Sequence, residues 1–278
     1  RCSAEALALG RVESPFTGMR TRDYLAENGT LPAIGSPKEE ATRPPVLIWG
    51  DSHAMSLLTA FDDLGRKYES TVYVAAHPSR PPLTGTWTPR IGRGALRWGD
   101  DVLDQLETLE IKTVFITGRW GLYIEPTADG DRRNLIAKES GSAEAPEIFE
   151  EALQETLLRL DEMDVKVWFM DDVPLQSHSV PETVMLASIR GKGLNVAAKS
   201  REDFWVETHV TRTLLERVLS GSSALRLDPI PLLADQDGFL PMARDGKPLY
   251  SDEHHLSPFG AEQLKPLFEP IFESTHRP

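Results

Sequence analysis

The chain has 278 residues, with 30 Lys+Arg against 43 Asp+Glu and a net charge of −13. That balance argues against nucleic acid or an anionic membrane surface as partner, because like charges repel. Hydrophobic residues make up 40%, enough to fill a sizeable core, so wholesale disorder is excluded. No apolar run reaches the roughly 18 residues that span a bilayer, and Cys2, the only cysteine, rules out an internal disulfide or a site built on two thiolates.

Residues 1–42 lack sustained periodicity and carry turn signals at Ser14-Pro15, Asn28-Gly29, Gly35-Ser36-Pro37 and Pro44-Pro45 just beyond. They read as an irregular entry segment with one short helix around Arg22 to Ala26. The chain begins at Arg1 and shows no signal peptide, so the expectation is a piece of a longer polypeptide.

From Val46 the texture changes. Val46-Leu47-Ile48-Trp49 is an apolar run of strand length ending at Gly50, followed by Leu57, Phe61 and Leu64 on one helical face. Further strands are predicted at Thr71–Ala76, Thr113–Thr117, Val165–Met170 and Leu225–Leu227. Helices are predicted around Val102–Leu109, Phe149–Leu160, about Phe204–Leu219 and from Pro258, where Leu264, Phe268 and Ile271 face inward. Pro78–Gly94 reads as a long loop, and Pro126–Ala145 as a polar surface excursion. Strands alternating with helices imply crossover connections, hence a mainly parallel, five-stranded sheet covered on both faces in one three-layer α/β domain over residues 43–278.

In open α/β sheets ligands gather beyond the carboxyl ends of the strands. The first group there is Gly50-Asp51-Ser52-His53. Gly50 permits a tight strand-to-helix turn, and Ser52 on that turn can serve as a nucleophile and, through its own N–H, as an oxyanion donor. Equally, Asp51 or Ser52 can be a plain N-cap. The second group is Tyr250-Ser251-Asp252-Glu253-His254-His255-Leu256-Ser257. A turn here can bring the Asp252 carboxylate to the His255 Nδ1–H and leave Nε2 to take a serine proton, unless Asp252 or Ser257 only caps the last helix. His53, His254, His255 and an aspartate could hold a divalent cation, but no recognisable ligand spacing supports a metal site, and none is expected. Asp171-Asp172, after the fourth strand, stands at the carboxyl edge of the sheet, where it can line the cleft or equally form a salt bridge.

Together, the Gly-Asp-Ser turn after the first strand and the Asp-x-x-His turn before the last helix resemble the SGNH (GDSL-type) hydrolase family. The resemblance implies a flavodoxin-like α/β/α sandwich and a triad of Ser52 as nucleophile, His255 as general base and Asp252 as its orienting carboxylate. Gly50-Asp51-Ser52-His53, Arg80-Pro81-Pro82-Leu83, Gly118-Arg119-Trp120, Leu249-Tyr250-Ser251-Asp252, His255-Leu256-Ser257 and Gly260-Ala261 look like one branch. That branch is the extracytoplasmic SGNH domain fused to membrane O-acyltransferases of the acyltransferase-three family.

What this branch implies is an O-acetyltransferase that passes acetyl through a serine acyl-enzyme to a hydroxyl of a surface carbohydrate such as lipopolysaccharide or exopolysaccharide. It further implies a periplasmic location and an N-terminal membrane acyltransferase domain in the same polypeptide that draws on acetyl-CoA; residues 1–42 would be the link to it. No cofactor is expected in this domain. The sequence departs from the family at the oxyanion donors. Gly118-Arg119-Trp120-Gly121 stands where an Asn is usual, so Arg119 or Trp120 becomes a candidate for oxyanion or sugar contact, against a surface charge and a core residue respectively. After the second strand no Gly is present, which leaves Ser79. His53 is expected to support the turn. The alternatives are a carbohydrate esterase, with water as acceptor, and a silent carbohydrate-binding domain.

Overall fold

The apolar runs are strands because each is buried on both faces, which only a covered parallel sheet provides. The computed structural model describes residues 21–127, 129–139, 143–189 and 198–274. Its main sheet contains β1 (Ala33–Gly35), β2 (Arg43–Gly50), β3 (Ser70–Ala76), β4 (Thr113–Thr117), β5 (Lys166–Met170) and β6 (Leu225–Leu227), in the order β1-β3-β2-β4-β5-β6. All neighbours are parallel except β1, which runs antiparallel to β3.

The sheet expected to have five strands therefore has six among the described residues. The extra one lies in the segment expected to be irregular. Ala33–Gly35 pairs with Thr71–Tyr73, and Thr21, at the start of helix α1 (Thr21–Asn28), is buried with its hydroxyl bonded to the Ala76 carbonyl. Residues 21–42 thus pack on the sheet instead of trailing from it.

Alternation along the strands divides the core into two layers. Leu47, Trp49, Tyr73, Val114, Ile116, Val167 and Phe169 face a layer of three helices, α4 (Trp98–Thr108), α6 (Ala145–Glu162) and α9 (His209–Leu219). Val46, Ile48, Val72, Val74, Phe115 and Met170 face α3 (Leu58–Lys67), α7 (Val180–Ile189) and α12 (Lys265–Glu273). Phe61, Phe115, Phe268 and Phe272 form the aromatic centre of the second layer, with ring centroids 4.8–5.9 Å apart. Three short helices complete the working part: α2 (Ser52–Ser56), α5 (Trp120–Ile124) and α8 (Arg201–Glu207); a further one, α10 (Ile230–Leu233), follows β6. The single helix expected over Phe204–Leu219 is two, broken at Thr208, which ends α8 and precedes α9.

The order of the strands decides where a ligand can gather. After β2 the chain goes to β3 on one side, then crosses back to β4 on the other, so the loops after β2 and β4 diverge and leave a crevice at their carboxyl ends. Close backbone contact holds that edge together. A Cβ on Gly50 would lie 2.1 Å from the Thr117 carbonyl oxygen and 2.6 Å from Ala54 Cβ, so only glycine lets the β2 turn run this close to β4. Gly260 likewise seats α11 (Pro258–Gln263) on the Leu249 carbonyl, where a Cβ would approach to 2.0 Å.

Candidate active site

At the end of β2, Asp51 is the N-cap of α2: its Oδ1 accepts from the His53 N–H at 2.7 Å. Its other oxygen accepts from the Arg119 N–H at 2.9 Å and from the Tyr123 hydroxyl at 2.7 Å. A carboxylate 1% exposed thus ties the β2 turn to the β4 turn. Burial raises the Asp51 carboxyl above its ordinary range, and the hydrogen bonds from Arg119, Tyr123 and His53 act against that rise. With Asp51 so engaged, Ser52 is left as the first residue of α2, partly exposed.

The second turn is held from both ends. Tyr250 and Leu256, both buried, form an isolated bridge, and the Ser251 N–H donates to the His255 carbonyl at 2.8 Å. Inside this loop Asp252 Oδ1 accepts from the N–H groups of His254 and His255 at 2.8 and 2.7 Å. Ser257, not Asp252, caps the helix that follows: its Oγ accepts from the Gly260 N–H at 3.0 Å and donates to the Pro248 carbonyl.

The two turns meet across 203 positions. His255 Nδ1 lies 2.5 Å from Asp252 Oδ2, and His255 Nε2 lies 2.7 Å from Ser52 Oγ. An ionised carboxylate only accepts, so Nδ1 carries the proton and Nε2 turns a lone pair to the serine hydroxyl. Partial burial works to raise the Asp252 carboxyl, but hydrogen bonds from the His255 ring and the His255 and His254 amides outweigh it and hold it well below the usual range. The carboxylate is therefore charged wherever the site would work.

Beside the triad opens a cleft of about 450 Å³. Arg119, Gly121 and Leu122 form one side, Phe204, Glu207, Thr208 and Thr211 of α8 and α9 another, with Asp172, His53 and His254 between. Ser52, Asp252 and His255 are not in its walls. It meets them through His53 and His254, whose ring centroids lie 5.1 and 4.0 Å from that of His255.

Of the oxyanion candidates, Trp120 requires correction. It is fully buried, its ring stacked on Phe169 at 4.6 Å and edge-on to Phe149, and its indole N–H donates to the Met170 carbonyl at 2.9 Å. Its backbone N–H donates to Asp172 Oδ1 at 2.7 Å. A tryptophan so enclosed cannot stack on a sugar, and neither N–H is available to an oxyanion. The Arg119 amide is likewise taken by Asp51, whereas its guanidinium lines the cleft and forms no hydrogen bond or ion pair with a described residue. Ser79 lies on the loop after β3 with φ 59°. No hydrogen bond joins it to the triad and it does not line the cleft.

Two further features involve residues that the sequence had brought forward without their contacts. His53 Nε2 and His254 Nδ1 lie 3.1 Å apart, with the two ring planes within 6° of each other and their centroids 5.3 Å apart. Burial lowers both imidazoles, His53 well below its ordinary value and His254 to about 3, and the nearby Arg119 charge acts in the same direction. Asp172 reaches the cleft while burial pushes its carboxyl up to about 8, against the hydrogen bond from the Trp120 amide and with Asp171 and Asp51 adding to the rise. The preceding Asp171 instead pairs with Arg226.

Asp172 should leave a signature in stability. An acid whose folded-state value lies above its unfolded one binds more protons when folded, so its contribution is lost as pH rises from about 4 to about 8. Asp172→Asn carries the neutral form at every pH and keeps the acceptor for Trp120. Denaturant melts across that window should therefore show wild type losing ground to the variant as pH increases; parallel curves would refute the buried neutral acid.

A family model described as the SGNH domain (fused to AT3 domains) matches residues 19–270. Among solved structures, the periplasmic domain of the lipopolysaccharide acetyltransferase of Salmonella ser. Paratyphi A is similar over 92% of this chain and 98% of that one, at 12% identity and a TM-score of 0.60. A GDSL-like lipase from Bacteroides thetaiotaomicron is similar over 92% and 98% of the two chains, at 13% identity and a TM-score of 0.50. A search of curated protein sequences finds no match. At these identities the likeness is one of fold, a mainly parallel α/β sandwich of the GDSL/SGNH kind. The family match covers nearly the whole chain, and with the Gly-Asp-Ser and Asp-x-x-His turns at its two ends this chain belongs to the SGNH domain family of the kind fused to AT3 domains.

Proposed function

We propose that this domain is a serine O-acyltransferase that moves an acetyl group through Ser52 to a hydroxyl of a surface carbohydrate. The observation that carries the reading is the unbroken line from Asp252 through His255 to Ser52, at 2.5 and 2.7 Å. His255 Nε2 takes the hydroxyl proton as Ser52 Oγ attacks the acetyl carbonyl. The proton then passes to the leaving group, and the serine holds the acetyl as an ester. An acceptor hydroxyl gives its proton to the same nitrogen, attacks the ester and restores Ser52. The Ser52 N–H and the Arg119 guanidinium are the groups assigned to the developing oxyanion.

The fusion in the family description supports a setting outside the cytoplasm, beside a membrane acyltransferase domain that would deliver acetyl drawn from acetyl-CoA. Among the described residues no helix is long and apolar enough to cross a membrane. The similarity to a lipopolysaccharide acetyltransferase domain supports a glycan acceptor, and the cleft beside the triad has room for one.

The test is to incubate the protein with p-nitrophenyl acetate, with and without lipopolysaccharide-derived oligosaccharides, and to follow nitrophenol release and sugar mass. Acetylated sugar is the expected product. Hydrolysis that ignores every glycan, with no acetylated sugar, would make the domain an esterase. Absence of a fluorophosphonate adduct on Ser52 would make it a silent binding domain.

A further inference from the structure

The His53–His254 pair has no task in the acyl-transfer steps, yet it is built into the wall between the cleft and the triad. We propose that these two imidazoles form a binding site for a divalent transition cation such as zinc, and that its occupancy shuts down the triad. The two facing nitrogens are 3.1 Å apart. Two imidazoles on a tetrahedral zinc, each about 2.0–2.1 Å from the metal, present nitrogens about 3.3 Å apart, so the pair must open by a few tenths of an ångström and each ring must turn by about 35° to aim its lone pair at the metal. The third nearby ring, His255, completes a group whose ligating atoms all lie within 4.8 Å of one another.

Access and charge agree with this. Both rings line the cleft, His254 half-buried and His53 3% exposed, so an ion approaches from the His254 side and sheds its water to bind. Glu125, Asp129 and Glu207 share the walls with a single cation, Arg119. Nitrogen donors select zinc, copper or nickel over magnesium and calcium, which prefer oxygen. On binding, the N–H···N bond between the rings is replaced by two N–metal bonds. The ring that donated moves its proton through solvent to its other nitrogen, so each imidazole stays neutral.

The consequence for the triad rests on the proposed role of His255, which must become positively charged when it takes the Ser52 proton. A dication held on His254, whose ring centroid is 4.0 Å from that of His255, opposes that charge in a site partly shielded from water. Binding itself does not depend on that role.

Chelator-stripped protein titrated with zinc chloride in a calorimeter is expected to bind one ion per chain in the micromolar range, and p-nitrophenyl acetate hydrolysis should fall at least about 10-fold and return with EDTA. In His254→Ala, and in the more conservative His254→Gln, zinc affinity should drop about 100-fold, and inhibition should vanish at the concentration that stops wild type. Magnesium should do neither. Equal zinc binding by wild type and both variants, or no wild-type binding below millimolar zinc, overturns the site; binding without loss of rate overturns the shutdown. A metal-free wild type that hydrolyses no ester counts against the triad reading, and the calorimetry still decides the site.

Discussion

Ser52→Ala should reduce acetyl-ester hydrolysis and acetyl transfer by about 10³-fold or more while leaving the melting temperature almost unchanged. The two halves of that expectation have separate causes. Ser52 Oγ is partly exposed and has His255 as its hydrogen-bond partner, so its removal empties no core and strands no buried donor. The hydroxyl is nevertheless the atom on which the proposed acyl-enzyme forms. His255→Ala should cost about as much, and the double variant should be no worse than either single one, because the residues act as a unit. Asp252→Ala should cost less in rate but more in stability, since its carboxylate also accepts two backbone amides inside the turn. Steady-state kinetics paired with thermal melts separate these effects. Wild-type-like turnover by Ser52→Ala would sink the nucleophile assignment, and loss of folding in that variant would undercut the claim that Ser52 is structurally idle.

How much of this was legible in the sequence depended on whether the determining contacts were local. Val46–Trp49, Thr71–Ala76, Thr113–Thr117 and the run ending at Met170 declared themselves as strands because burial on both faces demands continuous apolar residues. Ala33–Gly35 did not: three residues at a sheet edge, held by backbone pairing to β3, leave no periodicity to read. The triad was accessible because each half is a turn of a few residues, Asp51 to His53 and Asp252 to His255, that carries its own geometry. The contacts missed are those between distant turns. Nothing near Trp120 in the sequence says that its amide meets Asp172, which leaves the ring to pack on Phe169. The His53–His254 contact spans 201 positions and exists only because the last helix brings its preceding loop over the β2 turn. His53 was expected to support its own turn, and its backbone does so through Asp51; its ring is engaged elsewhere.

The same distinction separates the two aspartates that flank the chemistry. Asp51→Ala should lower stability by about 3–5 kcal/mol, against a total of about 5–15 for an ordinary domain. Its carboxylate is the common acceptor for the His53 and Arg119 amides and the Tyr123 hydroxyl, and removing it leaves two buried donors and one part-buried donor with no acceptor. For a chain of this size that loss corresponds to a drop in melting temperature of about 10 °C. Tyr123→Phe alone should cost only about 1 kcal/mol, since it deletes one bond and leaves Asp51 with two other donors. The informative variant is the double one. With Asp51 gone the Tyr123 hydroxyl is a liability, so Asp51→Ala with Tyr123→Phe should be at least as stable as Asp51→Ala by itself. If the two losses simply add, the hub does not exist and Asp51 matters only as a helix cap. If the cycle shows the expected coupling, the aspartate of the Gly-Asp-Ser turn acts by binding two strand ends together, with Arg119 held over the cleft as a result. The carboxylate that orients the base is then Asp252 alone.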